Sequence, residues 1–381
     1  MTYQYSPYTD YPETWQKIPF CDCCADATSG SSKIKKEDYQ RRGVLPIIDQ
    51  GKEAVGGYVD DLTKQCSVEL PCILFGDHTK IFKYCDKPFA LGADGVKVLK
   101  PTNKFDERFL YHYLCTLKLP DNAGYSRHFK YLRKTCVPLP PLSEQKRIAA
   151  ILDKADAIRR KRKAALDMAD EFLRATFLDM FGDPVTNPKG WDVKPLGKFG
   201  KITTGNTPPR KQTELYGDYL EWIKSDNINT PNHFLTQAAE GLSEAGAKKG
   251  RVAKEGAVLV TCIAGSKDCI GNAAIATKRV AFNQQINAIE PRSTEDTSFI
   301  YSACLVNKRL VQQASTESMK GLVSKGRFQA INLIDPPEEL RKSFYQSFIK
   351  IVNLTGKNAQ SFKEADALFA SLSQRAFRGE L

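Results

Sequence analysis

The sequence predicts an α+β chain in which two mixed α/β globules are separated by two long antiparallel helices that form a coiled coil. The arrangement is a pseudo-twofold internal repeat. Three observations predict it. Landmarks of the first half recur in order in the second, two charged stretches of about 38 residues carry a heptad pattern, and short β-branched runs alternate with turn-rich segments. The predicted segments are a first globule over 1–140, a helix over 141–182, a second globule over 183–335 and a second helix over 336–381.

The repeat is read from spacing. Trp15 and Pro19 recur as Trp191 and Pro195, at an offset of 176 residues. Pro140-Pro141 and Phe181 recur as Pro336-Pro337 and Phe377, at an offset of 196. The growth of the offset makes the second globule about 20 residues longer.

Each Pro-Pro pair stops what precedes it and suits a first helical turn; Ser143 and Gly182 bracket the first helix. The seam predicted for that helix is Ile148, Leu152, Ala155, Leu166, Leu173 and Met180, with Arg159, Arg162 and Thr176 in the same register. Adding 196 gives the second seam, Phe344, Phe348, Ile351, Phe362, Phe369 and Leu372, with Thr355 and Asn358 as its polar middle. At 1.5 Å per residue each helix is roughly 55 to 60 Å long and is not stable alone, so the two are expected to pack on each other as a spacer. A local hairpin or a homodimer seam is the alternative. Gly356 argues for an interruption of the second helix, since Gly costs about 1 kcal/mol in a helix interior.

Within the globules, Leu45 to Ile48, Cys72 to Phe75 and Val96 to Leu99 read as strands, and Phe109 to Leu117 as a short helix. Leu220 to Ile223, Ala257 to Ile263, Gln285 to Ile289 and Phe299 to Val306 answer them in the second globule.

Lys and Arg number 56 against 44 Asp and Glu, a formal charge of +12 that suggests a polyanion partner. Ordinary hydrophobic and charged fractions exclude a disordered or collagen-like chain. No apolar run would span a bilayer, and Met1 to Tyr11 lacks a secretory pattern, so a cytoplasmic location is expected. The cysteines are 11, odd in number and scattered, which favours buried reduced thiols; Cys21, Cys23 and Cys24 lack the second ligand pair that zinc requires.

Each globule opens with a small-residue turn followed by positive charge: Lys33, Lys35 and Lys36 in one, Thr207, Arg210 and Lys211 in the other. Such loops let backbone approach a phosphate that the cations neutralise, although either could be a solvated loop. Base reading needs side chains with paired donors and acceptors between strands. In the first globule the candidates are Gln50, Lys52, His78, Lys80, Ser126, Arg127 and His128. In the second they are Lys224, Asp226, Ser266, Lys267, Gln284, Gln285, Lys320, Lys325 and Arg327. Any one of them could instead be a turn or a structural hydrogen bond. The run Arg159 to Lys163 wraps all sides of the first helix, so part of it must face the other helix, a partner or a phosphate.

Catalytic patterns are weak. Asp335-Pro336-Pro337-Glu338 begins like the motif of amino-methyltransferases but lacks the aromatic that stacks on a flipped base. No P-loop, H-E-x-x-H or G-x-S-x-G pattern is present.

The run Pro138-Leu139-Pro140-Pro141-Leu142-Ser143-Glu144-Gln145-Lys146-Arg147-Ile148-Ala149, the exit Met180-Phe181-Gly182-Asp183-Pro184, Asn187-Pro188-Lys189-Gly190-Trp191, Ala281-Phe282-Asn283-Gln284-Gln285 and the terminal Ala376-Phe377-Arg378-Gly379-Glu380-Leu381 resemble the specificity subunits of type I restriction-modification enzymes. The resemblance covers essentially the whole chain. It implies a noncatalytic subunit with two target-recognition domains, each reading one half of a split, asymmetric double-stranded DNA site. The helices would set the gap and dock two methyltransferase subunits, with motor-nuclease restriction subunits joining the larger complex. S-adenosylmethionine, ATP and Mg would belong to those partners, with no cofactor on this chain. Glu338-Glu339-Leu340 departs from the family pattern at the start of the second helix. The alternatives are a stand-alone DNA methyltransferase or nuclease, and a coiled-coil scaffold without DNA affinity.

Overall fold

The computed structural model describes residues 5–8, 10–92, 95–120, 127–316 and 321–381. The chain divides into two units, one built from residues up to Arg162 together with Ser361–Leu381, the other from Lys163–Gln360. Each unit therefore owns one globule and a part of each long helix.

In chain order the first unit contains β1 (Gln16–Pro19), β2 (Cys24–Asp26), β3 (Lys33–Ile34), β4 (Leu45–Ile48), β5 (Gly57–Val59), β6 (Cys72–Gly76), β7 (Phe82–Cys85), β8 (Ala90–Gly92), β9 (Val96–Pro101), α1 (Glu107–Thr116), α2 (Phe129–Leu132), β10 (Cys136–Leu139) and the start of α3 (Leu142–Phe181). An antiparallel sheet has the order β2-β9-β6-β7; a mixed sheet runs β3-β8-β4-β5, with β8 parallel to both β3 and β4. β1 and β10 form a separate ribbon that leads into α3.

The second unit contains β11 (Val193–Pro195), β12 (Gly200–Thr204), β13 (Tyr216–Ile223), β14 (Gly241–Leu242), α4 (Glu244–Lys249), β15 (Val252–Ala253), β16 (Val258–Thr261), β17 (Ala273–Ile275), β18 (Val280–Phe282), β19 (Ile286–Pro291), α5 (Thr294–Val306), α6 (Arg309–Gln312), α7 (Lys325–Gln329), β20 (Asn332–Ile334) and the first part of α8 (Glu338–Ala376). Its sheets repeat the first unit: an antiparallel β12-β19-β16-β17, a mixed β14-β13-β18-β15 with β13 parallel to β18, and a β11-β20 ribbon leading into α8. The edge strand differs, because β15 is antiparallel to β18 where β3 is parallel to β8.

The long helices run antiparallel within each unit. In the first, the Arg147 side chain meets the Leu381 carbonyl and Arg159 Nη1 lies 3.4 Å from Asp366 Oδ1, so α3 advances as α8 recedes. Ile148 and Leu152 are buried with Phe109, Tyr113 and Phe377, with Phe369 and Leu372 half-buried against that cluster, and Ala155 is buried as well. In the second, Leu173, Phe344, Phe348 and Ile351 are buried, while Leu166 is half-buried. Met180 is half-buried too, and the fully buried rings of that turn are Phe177 and Phe181, outside the predicted seam; they pack with Phe299 and Phe344 at centroid distances of 4.9 to 5.6 Å. The shift follows from the globule: α5 rests on this face of α3, so the helix buries a wider stripe than a two-helix seam needs. Phe362, in the first unit, is half-buried.

One expectation is corrected here. Gly356 does not interrupt α8, which is continuous over 39 residues; the helix there faces open space, so a missing side chain costs stability without breaking the ladder. Part of the basic run does face the other helix: Arg159 pairs with Asp366 of α8 as well as with Asp156, while Arg160 pairs with Asp156 and Lys163 with Asp167 on α3 itself. The departure at the start of α8 is compensated by Arg341, which donates to Asp335 Oδ1 and the Pro336 carbonyl, both at 2.9 Å.

All eleven cysteines are free thiols. Cys23 and Cys24 are buried, and burial pushes the Cys24 thiol up to about 12, so they behave as small apolar core groups. No helix among the described residues is long and apolar enough to cross a membrane.

Candidate nucleic-acid interface

In the first unit the parallel register Lys33↔Leu91, Ile47↔Ala90 and Ile48↔Leu91 makes three chain segments leave the mixed sheet at one edge. Exposed Lys35 and Lys36 follow β3 there, and Gln50 and exposed Lys52 follow β4; Lys33 is exposed on β3 itself. Lys35 is 3.5 Å from Glu37. The Gln50 Oε1 accepts from the His78 N–H at 3.2 Å, and the Gln50 carbonyl accepts from Thr79 Oγ1 at 2.6 Å. Buried Asp77 completes the turn: its N–H donates to the Gly95 carbonyl at 2.6 Å, its carbonyl accepts from the His128 N–H at 2.8 Å, and its Oδ1 accepts from the Phe129 N–H at 2.7 Å. Gly95 has φ +90°, and a Cβ there would meet His78 and Gln50 at 2.7 and 2.8 Å.

The predicted segments around Gln50, His78 and His128 thus converge, with Lys80 held at φ +62° beside them. His128 is buried and acts as an internal group, whereas neighbouring Arg127 is exposed. Ser126 lies outside the described residues.

In the second unit one connected network joins four loops. Thr207 Oγ1 donates to Gln284 Oε1. The Gln285 N–H donates to Asn283 Oδ1 at 3.0 Å, which obliges Asn283 Nδ2 to face Gln285 Oε1, also at 3.0 Å; Ser225 Oγ donates to that oxygen at 3.5 Å. With its oxygen engaged, the Gln285 amide has its N–H groups left to donate, the chemistry an acceptor edge of a base would take. The Gln285 carbonyl ties the turn down by accepting from Cys262 and Ile263 N–H at 2.8 and 3.1 Å. Gly205 is required beside it, because a Cβ would collide with the carbonyls of Phe282 and Asn283.

Arg210 and Lys224 border this network. Lys224 Nζ and Arg210 Nη1 lie 2.7 and 2.8 Å from the two oxygens of Glu240, and these hydrogen bonds, Lys224 first, hold the Glu240 carboxyl below its ordinary range. The Arg210 guanidinium sits 4.8 Å from the Tyr216 ring and 4.7 Å from that of Trp222. Lys211 and Asp226 are exposed nearby in sequence. Glu240, Trp222 and Tyr216 escape sequence reasoning: Glu240 is 16 residues from Lys224 and carries no local pattern.

The remaining predicted residues are placed elsewhere in the contact network. Ser266 caps the turn that contains exposed Lys267, whose carbonyl accepts from Gln312. Lys325 is exposed on α7; Arg327 folds back onto the Ala314 carbonyl at 3.4 Å and lines a cleft of about 490 Å³ with Pro184, Leu310 and Gln313. Lys320 lies outside the described residues.

Comparison with known proteins matches this chain twice to one family model, described as "Type I restriction modification DNA specificity domain", over residues 12–168 and 188–359. The HindI specificity subunit of Haemophilus influenzae is 31% identical over 207 residues, covering 51% of this chain and 42% of that one, so the match spans less than half of that relative's length. The EcoR124I/EcoR124II specificity subunit of Escherichia coli is 23% identical over 291 residues, covering 70% and 69%. Among solved structures, the S subunit of a type I restriction-modification system from M. genitalium aligns over 99% of both chains with a TM-score of 0.61 at 12% identity, a likeness of fold.

Proposed function

This chain belongs to the type I restriction modification DNA specificity domain family, and on that premise we propose that it is the noncatalytic specificity subunit of such a system, reading a bipartite asymmetric DNA site with one half-site per unit. The observation that carries the reading is the duplicated sheet order with different loop chemistry. Gln50, His78 and Lys80 stand at one site, and Thr207, Gln284 and Gln285 at the other. Two copies of one scaffold with unlike reading groups suit two unlike half-sites. The antiparallel helices are the spacer.

Partner docking belongs to the same proposal. Large apolar residues stay exposed on the helices at repeat-equivalent positions: Ile158 (47%) and Leu354 (53%), then Phe172 (61%) and Leu368 (52%). Each pair is separated by 196 residues, so each unit offers an equivalent apolar surface, as two copies of one methyltransferase subunit require. S-adenosylmethionine, ATP and Mg act on those partners and on the restriction subunits.

Selection of bound duplexes from a random pool tests the proposal. Two short tracts around an indifferent gap are expected; enrichment of one uninterrupted tract, or of none, would refute it.

A further inference from the structure

Arg210 and Lys224 are the natural cations for a phosphate beside the Gln284–Gln285 turn, yet both are engaged by one carboxylate. Glu240 Oε2 is 2.8 Å from Arg210 Nη1 and Oε1 is 2.7 Å from Lys224 Nζ. The Glu240 backbone is fixed against β13, its carbonyl accepting from the Trp222 N–H at 3.1 Å. Beneath the pair lies an aromatic floor: Arg210 over Tyr216 and Trp222, and Lys224 Nζ 5.3 Å from the Trp222 ring. The Trp222 Nε1–H donates to the Asn206 carbonyl at 3.3 Å, next to Thr207 of the reading network.

Two cations held over one floor repel each other unless an anion sits between them. The seat takes an anion with a single charge and two accessible oxygens. A carboxylate meets that description, and so does a phosphodiester with its two non-bridging oxygens. We propose that Glu240 is an internal mimic of a DNA phosphate: it fills the Arg210–Lys224 seat in the free protein and must be displaced before the DNA backbone can occupy it. This inference rests on the DNA-reading function proposed above and adds to it an autoinhibitory carboxylate that restrains binding to all duplexes alike.

The consequence follows from charge. Glu240→Gln leaves two cations with a neutral neighbour, adding one net positive charge at the seat. The full-length E240Q chain is expected to bind duplexes, cognate or random, about three- to tenfold more tightly at physiological salt, with the salt slope steeper by about 0.9. The bases selected at the half-site should not change, since the phosphate seat carries no sequence information. In an R210Q/K224Q background the same substitution should have no effect, because the seat is gone.

Fluorescence anisotropy with cognate and random duplexes across a salt series, together with duplex selection by E240Q, reads these outcomes. Unchanged or weaker binding by E240Q would overturn the proposal and make Glu240 a structural strut. A changed base at the half-site would also overturn it, making Glu240 a base reader that accepts from a cytosine amino group. Persistence of the effect in the R210Q/K224Q background would place its origin elsewhere. If the wild-type chain selects no half-site, the DNA-reading function fails by itself, whatever the E240Q comparison on random duplex shows.

Discussion

Gln145 and Arg341, 196 residues apart, hold the first turns of the two long helices in equivalent ways with different chemistry. Gln145 Nε2 donates to the carbonyls of Pro140 and Lys104 at 2.9 and 3.0 Å, and its Oε1 accepts from the Asp106 N–H at the start of α1 at 2.7 Å. Arg341 donates to the carbonyl of Pro336, the counterpart of Pro140, and to Asp335; its Nε lies 3.2 Å from Asp296 Oδ1 in the first turn of α5, an ion contact without hydrogen-bond alignment. A neutral amide clamps globule to helix in one unit, and an ion cluster does so in the other.

Removal of the charged clamp should cost more than removal of the neutral one. Arg341→Ala leaves Asp296 without its cation, while Asp335 keeps only Lys194, and burial already raises the Asp296 carboxyl above its usual range. A loss of about 3 kcal/mol is expected, against about 1 to 2 kcal/mol for Gln145→Ala, in urea unfolding followed by fluorescence. Equal losses would contradict the assignment.

Gly356→Ala should stabilise the chain. The position is helical, exposed and open around its missing side chain, so the gain is about 0.5 to 1 kcal/mol in the same unfolding measurement. A loss would mean that the position is needed bare.

Stability should fall on acidification from neutral pH. His112 and His233 are buried, and burial lowers both pKa values against the opposing pull of Asp153 and Asp170, with Arg174 adding to the depression at His233. The unfolded chain, with a histidine pKa of about 6.5, takes up protons first; the contribution is complete above that pH and is lost as pH falls through the folded values. His112→Gln with His233→Gln should flatten the unfolding free energy between pH 7 and 5, read from its slope rather than its absolute level.

Much of this architecture is legible in the sequence. The Pro-Pro pairs and Gly182 place α3 and α8 within a few residues, and the strands at Leu45, Cys72 and Val96 begin where the β-branched runs do. Local pattern reaches no further. Phe177 and Phe181 are buried by α5, a helix more than a hundred residues away, so a two-helix heptad omits them. Gln50 meets His78 where strands of two different sheets end, and Arg210 meets Glu240 across the loops that flank the antiparallel β13–β14 pair, long-range arrangements that leave no trace in spacing.

The proposed docking on the helices can be counted. Ile158→Asp and Leu354→Asp should each lower the number of co-expressed methyltransferase subunits bound per chain from two to one in native mass spectrometry, and the double variant should bind none. Two bound copies in every variant would remove these residues from the interface.

The central claim is that each unit reads its own half-site. Hydroxyl-radical footprinting on a selected cognate duplex tests it most directly, comparing the wild-type chain with Gln50→Ala/His78→Ala and with Gln285→Ala/Arg210→Ala. Each variant is expected to lose protection over one tract and keep the other at an unchanged distance; simultaneous loss of both tracts, or a single continuous tract in the wild type, would contradict it.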